Sequence, residues 1–188
     1  MYTIMKVILG FMIGILSFEV YGQTLNNPIV EQWYLGAGVG SGYTHCSSCG
    51  QYSGGTKDNN VVVDLHGGYQ FNSFVAAEAS FAWLPTINHS ESNQSTTYYP
   101  TQSSLAVKGI LPLTNLFSLY GKLGGALTGI SDNSNASTGT IGIYYALGGG
   151  LQINQNLRMN LSANYVQANN FDTRFYTIYG LATLDYLF

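Results

Sequence analysis

The sequence predicts an all-β protein, an eight-stranded antiparallel up-and-down transmembrane β-barrel. Three observations carry this expectation. Beyond residue 22, apolar residues recur at every second position almost everywhere, the period of a strand and not of a helix. The links between these alternating runs are short and long in strict turn, the asymmetry of a membrane barrel with tight inner turns and larger outer loops. Charged residues make up 8% of the chain and apolar ones 46%. Against roughly 25% charge in an average soluble domain, charge has given way to Gly, Ser, Thr, Asn and Tyr.

A chain of 188 residues makes one domain by length. A net charge of -3 provides no basic footprint for nucleic acid. Residues 1–22, "MYTIMKVILGFMIGILSFEVYG", hold one early cation, Lys6, then an apolar run and small residues at Val20 and Gly22. This reads as a secretory signal peptide, too short in its apolar part for a spanning helix of about 20 residues. The mature barrel is expected over 23–188, in the bacterial outer membrane.

The elements follow in order. The first run, "WYLGAGVGSGYT" at 33–44, sets Gly36, Gly38, Gly40 and Gly42 on one parity. The second and third, at 61–71 and 74–84, are joined by the tight turn 72–73. The fourth, fifth, sixth and seventh lie at 103–112, 117–130, 140–153 and 157–167, with tight turns at 113–116 and 154–156. The eighth, 173–188, stays alternating to its last residue, Phe188. Asn, Ser and Thr in the turns suit tight reversals. Long polar links are expected near 45–60, 85–102, 131–139 and 168–172.

Charge decides which face is inside. Asp64, Glu78, Lys108, Lys122, Arg158 and Asp185 lie within the runs, each flanked by residues of the apolar parity. A cation on the lipid face costs about 2–4 kcal/mol at the midplane, and a one-residue register slip would expose each of these charges to lipid. Facing water, the same parity would make a surface of Gly, Ala, Ser and Asn with few charges, thin for a soluble barrel. The polar face is therefore expected to line the lumen. There the glycine wall of the first run makes room for long side chains from other strands, since eight strands enclose little more than their own side chains. Leu184, Tyr186 and Phe188 then face lipid. Trp33, Phe71, Phe74, Trp83, Phe117, Tyr165, Phe175 and Tyr176 supply the interfacial aromatic girdles.

The segments "WYLGAGVG", "GGYQFNSFVAAEASF", "VKGILPL", "FSLYGKLG" and the terminal "YLF" resemble the OmpA-like transmembrane domain, in their order and spacing across nearly the whole mature chain. The resemblance implies an OmpA/OmpX-like outer-membrane barrel whose lumen charges form a salt-bridged plug. Glu78, Lys108, Lys122 and Arg158 match that pattern. An acid expected near Gln152 is missing, and Asp64 or Asp185 is expected to replace it. The end formed by Leu184, Tyr186 and Phe188 is similar to the signal read by the barrel-assembly machinery. The peptidoglycan-binding domain of longer relatives is expected to be absent.

Cys46 and Cys49, in "HCSSCG", are the only cysteines. Outside the inner membrane thiols oxidise, so a local disulfide is expected. A redox site lacks its strand–helix context, and with His45 the loop offers three ligands, few for structural zinc. No metal and no cofactor are expected. His66, on the lumen parity, reads as a hydrogen-bonded filler. His45, His66, His89 and many serines leave a lipid-modifying hydrolase or acyltransferase as an alternative, and a small-solute channel as another. The glycine-rich stretches open no helix, so they are not phosphate loops. The favoured function is non-enzymatic: envelope integrity, adhesion or host-surface contact by a monomer. Its partners would be outer-membrane lipids, the barrel-assembly machinery and a host-surface ligand at the loops.

Overall fold

A computed structural model describes residues 31–49, 52–55, 61–91, 94–132, 137–170 and 173–188. The expected signal peptide, 1–22, lies outside them. The described chain is all strand and turn: β1 (Gln32–Cys49), β2 (Tyr52–Gly55), β3 (Val61–Gln70), β4 (Val75–Trp83), β5 (Ile87–Glu91), β6 (Gln94–Pro112), β7 (Phe117–Asp132), β8 (Ser137–Gln152), β9 (Leu157–Asn170) and β10 (Thr173–Leu187).

Eight of these close the barrel in the order β1-β3-β4-β6-β7-β8-β9-β10, every neighbour antiparallel. Closure comes from β10 pairing back onto β1, from Tyr34 opposite Leu187 to Cys46 opposite Phe175. In hydrocarbon no water is available to satisfy an open edge, and the ring leaves none. The chain end is pinned into this seam. Leu187 N–H donates to Asn156 O at 2.7 Å, and Phe188 N–H donates to Trp33 O at 3.0 Å.

The three tight turns share one device. Asn72 Oδ1 accepts from the N–H groups of Phe74 and Val75 at 2.8 and 2.9 Å. Thr114 Oγ1 accepts from Leu116 and Phe117 at 3.2 and 2.9 Å. Asn154 Oδ1 accepts from Asn156 and Leu157, both at 2.9 Å. A short polar side chain thus satisfies two turn amides that the ladder cannot reach.

The other ends differ from the expected polar loops. Much of 45–60 and 85–102 is strand: β2 pairs with the end of β1, and β5 pairs with an early start of β6 from Gln94. Alternation ended at the membrane rim because beyond it both faces of a strand meet water. Thr96, Thr97, Tyr98 and Tyr99 nevertheless favour extended backbone. Arg174 lies at the outer end of β10, inside the expected run 173–188, and is a seventh charge within the runs.

Parity sorts the two faces. Leu35, Val39, Leu105, Leu123, Ile141, Leu147 and Leu161 are outward and largely exposed, while the residues of the other parity are buried or half-buried. Trp33, Phe71, Phe74 and Trp83 are exposed near strand ends. Phe117, Tyr165 and Tyr176 are partly covered, and the side chain of Phe175 lies outside the described residues.

Candidate functional site

The lumen is layered. Toward the short turns, Tyr34, Ala76, Ile110, Tyr120 and Leu187 form one apolar cluster. Toward the long connections, Val62, Ala82, Leu84, Ala106, Ala126, Tyr144, Ala146, Val166, Tyr179 and Leu181 form another. The inner parity is therefore not purely polar, as the alternation had implied. Small barrels fill with their own side chains, and apolar ones serve wherever no charge needs a partner. Between the clusters lie Asp64, His66, Glu78, Lys108 and Asp185, all buried, with the Lys122 ammonium reaching in among them, while Arg158, also buried, stands at the short-turn end beside Gln70 and Gln152.

This middle layer divides into two groups. In the first, Glu78 on β4 is held from three sides. Lys122 Nζ lies 2.5 Å from its Oε1, Lys108 Nζ lies 3.5 Å from Oε2, and Tyr34 Oη donates to Oε2 at 2.9 Å. Lys108 and Lys122 face each other across the β6–β7 ladder. Like charges so placed repel, and the shared carboxylate offsets that repulsion. The Lys108 ammonium also sits 4.4 Å from the Tyr120 ring centroid and 5.1 Å from that of Tyr34, where the ring faces attract a cation.

In the second group, His66 bridges two acids. Its Nδ1 is 2.6 Å from Asp64 Oδ1 and its Nε2 is 3.0 Å from Asp185 Oδ1. Arg158 Nε is 3.5 Å from Asp185 Oδ2, and Thr183 Oγ1 donates to Asp185 Oδ1 at 3.4 Å. So the acid that faces Arg158 is Asp185, its cross-strand neighbour on β10. Asp64 instead serves His66. On the β8 side Arg158 meets the neutral Gln152.

Tyr34 and Tyr120 belong to this centre and were not singled out from the sequence, although they share the inner parity with Gly36 and Lys122. The readable signal is an aromatic opposite a glycine. Tyr34 pairs across the ladder with Gly68, and Tyr120 with Gly148. A Cβ on Gly68 would strike the Tyr34 ring, and one on Gly148 the Tyr120 ring, each at 2.5 Å. Gly36 does the same for the bridge, since its Cβ would meet His66 Nε2 and Asp185 Oδ1. Of the glycine wall, only Gly36 makes room for the charged layer; a Cβ on Gly38, Gly40 or Gly42 would instead meet Thr183, the Gly180 carbonyl or Tyr179.

Residues 28–183 match the family model described as the OmpA-like transmembrane domain. The chain belongs to that family. It is 25% identical to outer membrane protein A of Salmonella typhi over 90% of this chain and 51% of that protein. It therefore spans about half the length of the curated relatives it matches. Neisserial surface protein A has a similar fold, with TM-score 0.62, 12% identity and coverage of 83% of this chain and 97% of that one. Ail of Yersinia pestis, solved with the heparin analogue sucrose octasulfate, gives 0.54 at 20% identity, over 85% and 100%. As an OmpA-like transmembrane domain the protein is an integral β-barrel of the bacterial outer membrane, and its apolar outer face meets lipid.

The OmpA-like barrel places the remaining sequence candidates as follows. Leu184, Tyr186 and Phe188 face outward along the last strand. His45 is half-buried on the outer face, near the rings of Tyr43 and Tyr176. The backbones of Cys46 and Cys49 lie in the β1–β2 hairpin, but their side chains, like that of His89, lie outside the described residues. His66 has both ring nitrogens turned to carboxylates, which leaves neither nitrogen for a serine. The nearby Ser80 hydroxyl is bonded instead to that of Ser104, at 2.6 Å. Among the described residues no group of three or more His, Cys, Asp and Glu side chains could hold a metal.

Proposed function

We propose that this protein is a non-enzymatic outer-membrane barrel that anchors four outer connections for adhesive contact with a surface outside the cell. The observation that carries this reading is the layered lumen: a paired charge layer between two apolar clusters leaves the outer end as the part free to engage a partner. It works as a monomer, and the barrel-assembly machinery reads its end at Leu184, Tyr186 and Phe188. The disulfide between Cys46 and Cys49 belongs to the same reading, as a short clasp on the first outer hairpin.

The composition of the outer connections narrows the partner. Lys57 in the connections and Arg174 at the outer end of β10 are the cations there, set against Asp58, Glu91, Asp132 and Asp172. Ail is seen with a sulfated polyanion, but this chain's outer end carries more acid than base and opposes such a ligand. Its Tyr, Ser, Gly and Asn content is that of surfaces that bind through aromatic contact and adaptable hydrogen bonds. A neutral glycan or a protein surface fits better than a sulfated one.

The test is adhesion. Cells displaying the protein should bind host-cell monolayers more than cells displaying a barrel whose 45–60 and 85–102 connections are replaced by short turns. Soluble heparin should not compete. Equal adhesion by the shortened barrel would overturn the reading. Turnover of labelled lipid A or phospholipid by the refolded protein would replace it with the lipid-modifying one.

A further inference from the structure

At the short-turn end one charge turns outward. Glu31 immediately precedes β1, shares the outward parity of Trp33 and Leu35, and is exposed. Tyr69, on the neighbouring β3, donates its hydroxyl to Glu31 Oε2 at 3.0 Å and so holds the carboxylate against the outer surface of the barrel. The Tyr69 ring lies 5.0 Å from that of Trp33 and 5.1 Å from that of Phe71. Trp33 itself is 65% exposed. The result is a carboxylate beside an aromatic pair, at the depth of the lipid headgroups, where Trp and Tyr concentrate.

The chain supplies no cation to meet it. The tight turns and the residues beside them, 70–75, 112–118 and 152–157, hold no charged side chain. Arg158, the cation at that end, is buried in the lumen against Asp185. Among the described residues Glu31 has no ion pair, and the Tyr69 phenol is its one hydrogen-bond donor.

Further into the membrane the same strands form an apolar groove of about 360 Å³, lined by Leu35, Ala37, Leu65, Leu157, Leu184 and Tyr186. Leu35 follows Trp33 on the outward face of β1, about 7 Å along, so the groove starts one outward position from the aromatic pair. A groove of that size takes a length of acyl chain and no folded partner.

We infer that this face of the barrel, over β3, β1 and β10, binds an aminophospholipid, a lipid whose headgroup ends in a primary ammonium, as in phosphatidylethanolamine. The ammonium meets Glu31 and the exposed Trp33 ring, and an acyl chain lies in the groove. A primary ammonium donates charge-assisted hydrogen bonds to a carboxylate and is attracted to an indole face. The quaternary ammonium of phosphatidylcholine has no N–H to donate, and an anionic headgroup is repelled by Glu31.

The experiment uses the full chain refolded into phosphatidylcholine vesicles. Trp33 and Trp83 are the only tryptophans. Trp83→Phe therefore leaves Trp33 alone to report on the inner rim, and Trp33→Phe leaves Trp83 to report on the outer one. Lipid brominated at the glycerol end of its acyl chains, which quenches indole fluorescence on contact, is mixed in at rising mole fraction. It is used in turn as phosphatidylethanolamine, phosphatidylcholine and phosphatidylglycerol. At Trp33 phosphatidylethanolamine should be favoured over phosphatidylcholine about two- to fivefold, the size of an exposed ion pair. Glu31→Gln, added to Trp83→Phe, should remove that preference, and Trp83 should show none. Equal quenching by the two lipids at Trp33, or stronger quenching by phosphatidylglycerol, would overturn the inference. So would a preference that survives Glu31→Gln or that Trp83 shares, since neither would come from the carboxylate on this face.

Discussion

Glu78 is the acid around which the inner charges are arranged, with Lys122, Lys108 and Tyr34 all on its two oxygens. Removing one partner of a buried ion pair strands the other and typically costs about 3–5 kcal/mol. Glu78→Gln should therefore lower the urea midpoint of the refolded barrel more than substitutions in the outer connections. Non-additivity marks coupled sites, so the second substitution tells which cation is coupled. The distances predict recovery of part of the loss with Lys122→Met or Lys108→Met, and none with Arg158→Met, whose carboxylate is Asp185. A better recovery with Arg158→Met would reassign the pairs. Gly36 gives a second test. Its Cβ would collide with His66 and Asp185, whereas one on Gly139 would meet nothing within 4 Å. Gly36→Ala should cost about 1–3 kcal/mol, as overpacking does, while Gly139→Ala should stay within about 0.5 kcal/mol. Equal midpoints for the two variants would deny that the bridge fills the space at Gly36.

On a single strand, lipid on one side and a packed lumen on the other make parity legible. β9 carries Arg158 buried and Leu161 fully outward, three residues apart and therefore on opposite faces. Leu161→Arg should cost about 2–4 kcal/mol near the midplane, or stop assembly, although the strand already holds an arginine. A harmless Leu161→Arg in the lipid-refolded protein would mean that this face does not meet hydrocarbon. The same asymmetry explains what could not be read. Past the rim β5, β6 and the end of β1 have water on both sides, so no alternation marks them, and polar tracts taken for loops are strand. The eight staves and their order were legible, and so was the inward parity of six charges, whereas Arg174, at the outer end of β10, shares the parity of the outward Ile178 and Leu184. Their partners were not. His66 meets Asp185 across 119 positions of sequence, and Glu78 meets Lys122 across 44. Such contacts depend on how far each side chain reaches across the barrel, which no single strand encodes. Tyr34 and Tyr120 were passed over for the same reason. Their significance lies in the glycine opposite, visible only once register is known.

Across the whole molecule, the layers decide whether the barrel can conduct. An ion entering from the short-turn end meets Arg158 along with Tyr34, Tyr120, Ile110 and Leu187, then the other charges, then the larger apolar cluster that ends at Tyr179 and Leu84. Near the outer end Gln102 is bonded to Tyr179, and Thr44 to Thr177 at 3.1 Å. Each apolar layer would have to be hydrated before an ion could pass, and hydrating either one undoes packing that holds the barrel together. The charged layer is thus a fastening inside a closed wall and not the constriction of a pore. Its loss should loosen the fold without opening a path. In planar bilayers the refolded wild type should add no discrete conductance steps. Glu78→Gln should also add none, because both apolar clusters remain while stability falls. Steps in the wild type would restore the small-solute channel as the function. Steps only in Glu78→Gln would show that the ion pairs, and not the apolar clusters, keep the lumen shut.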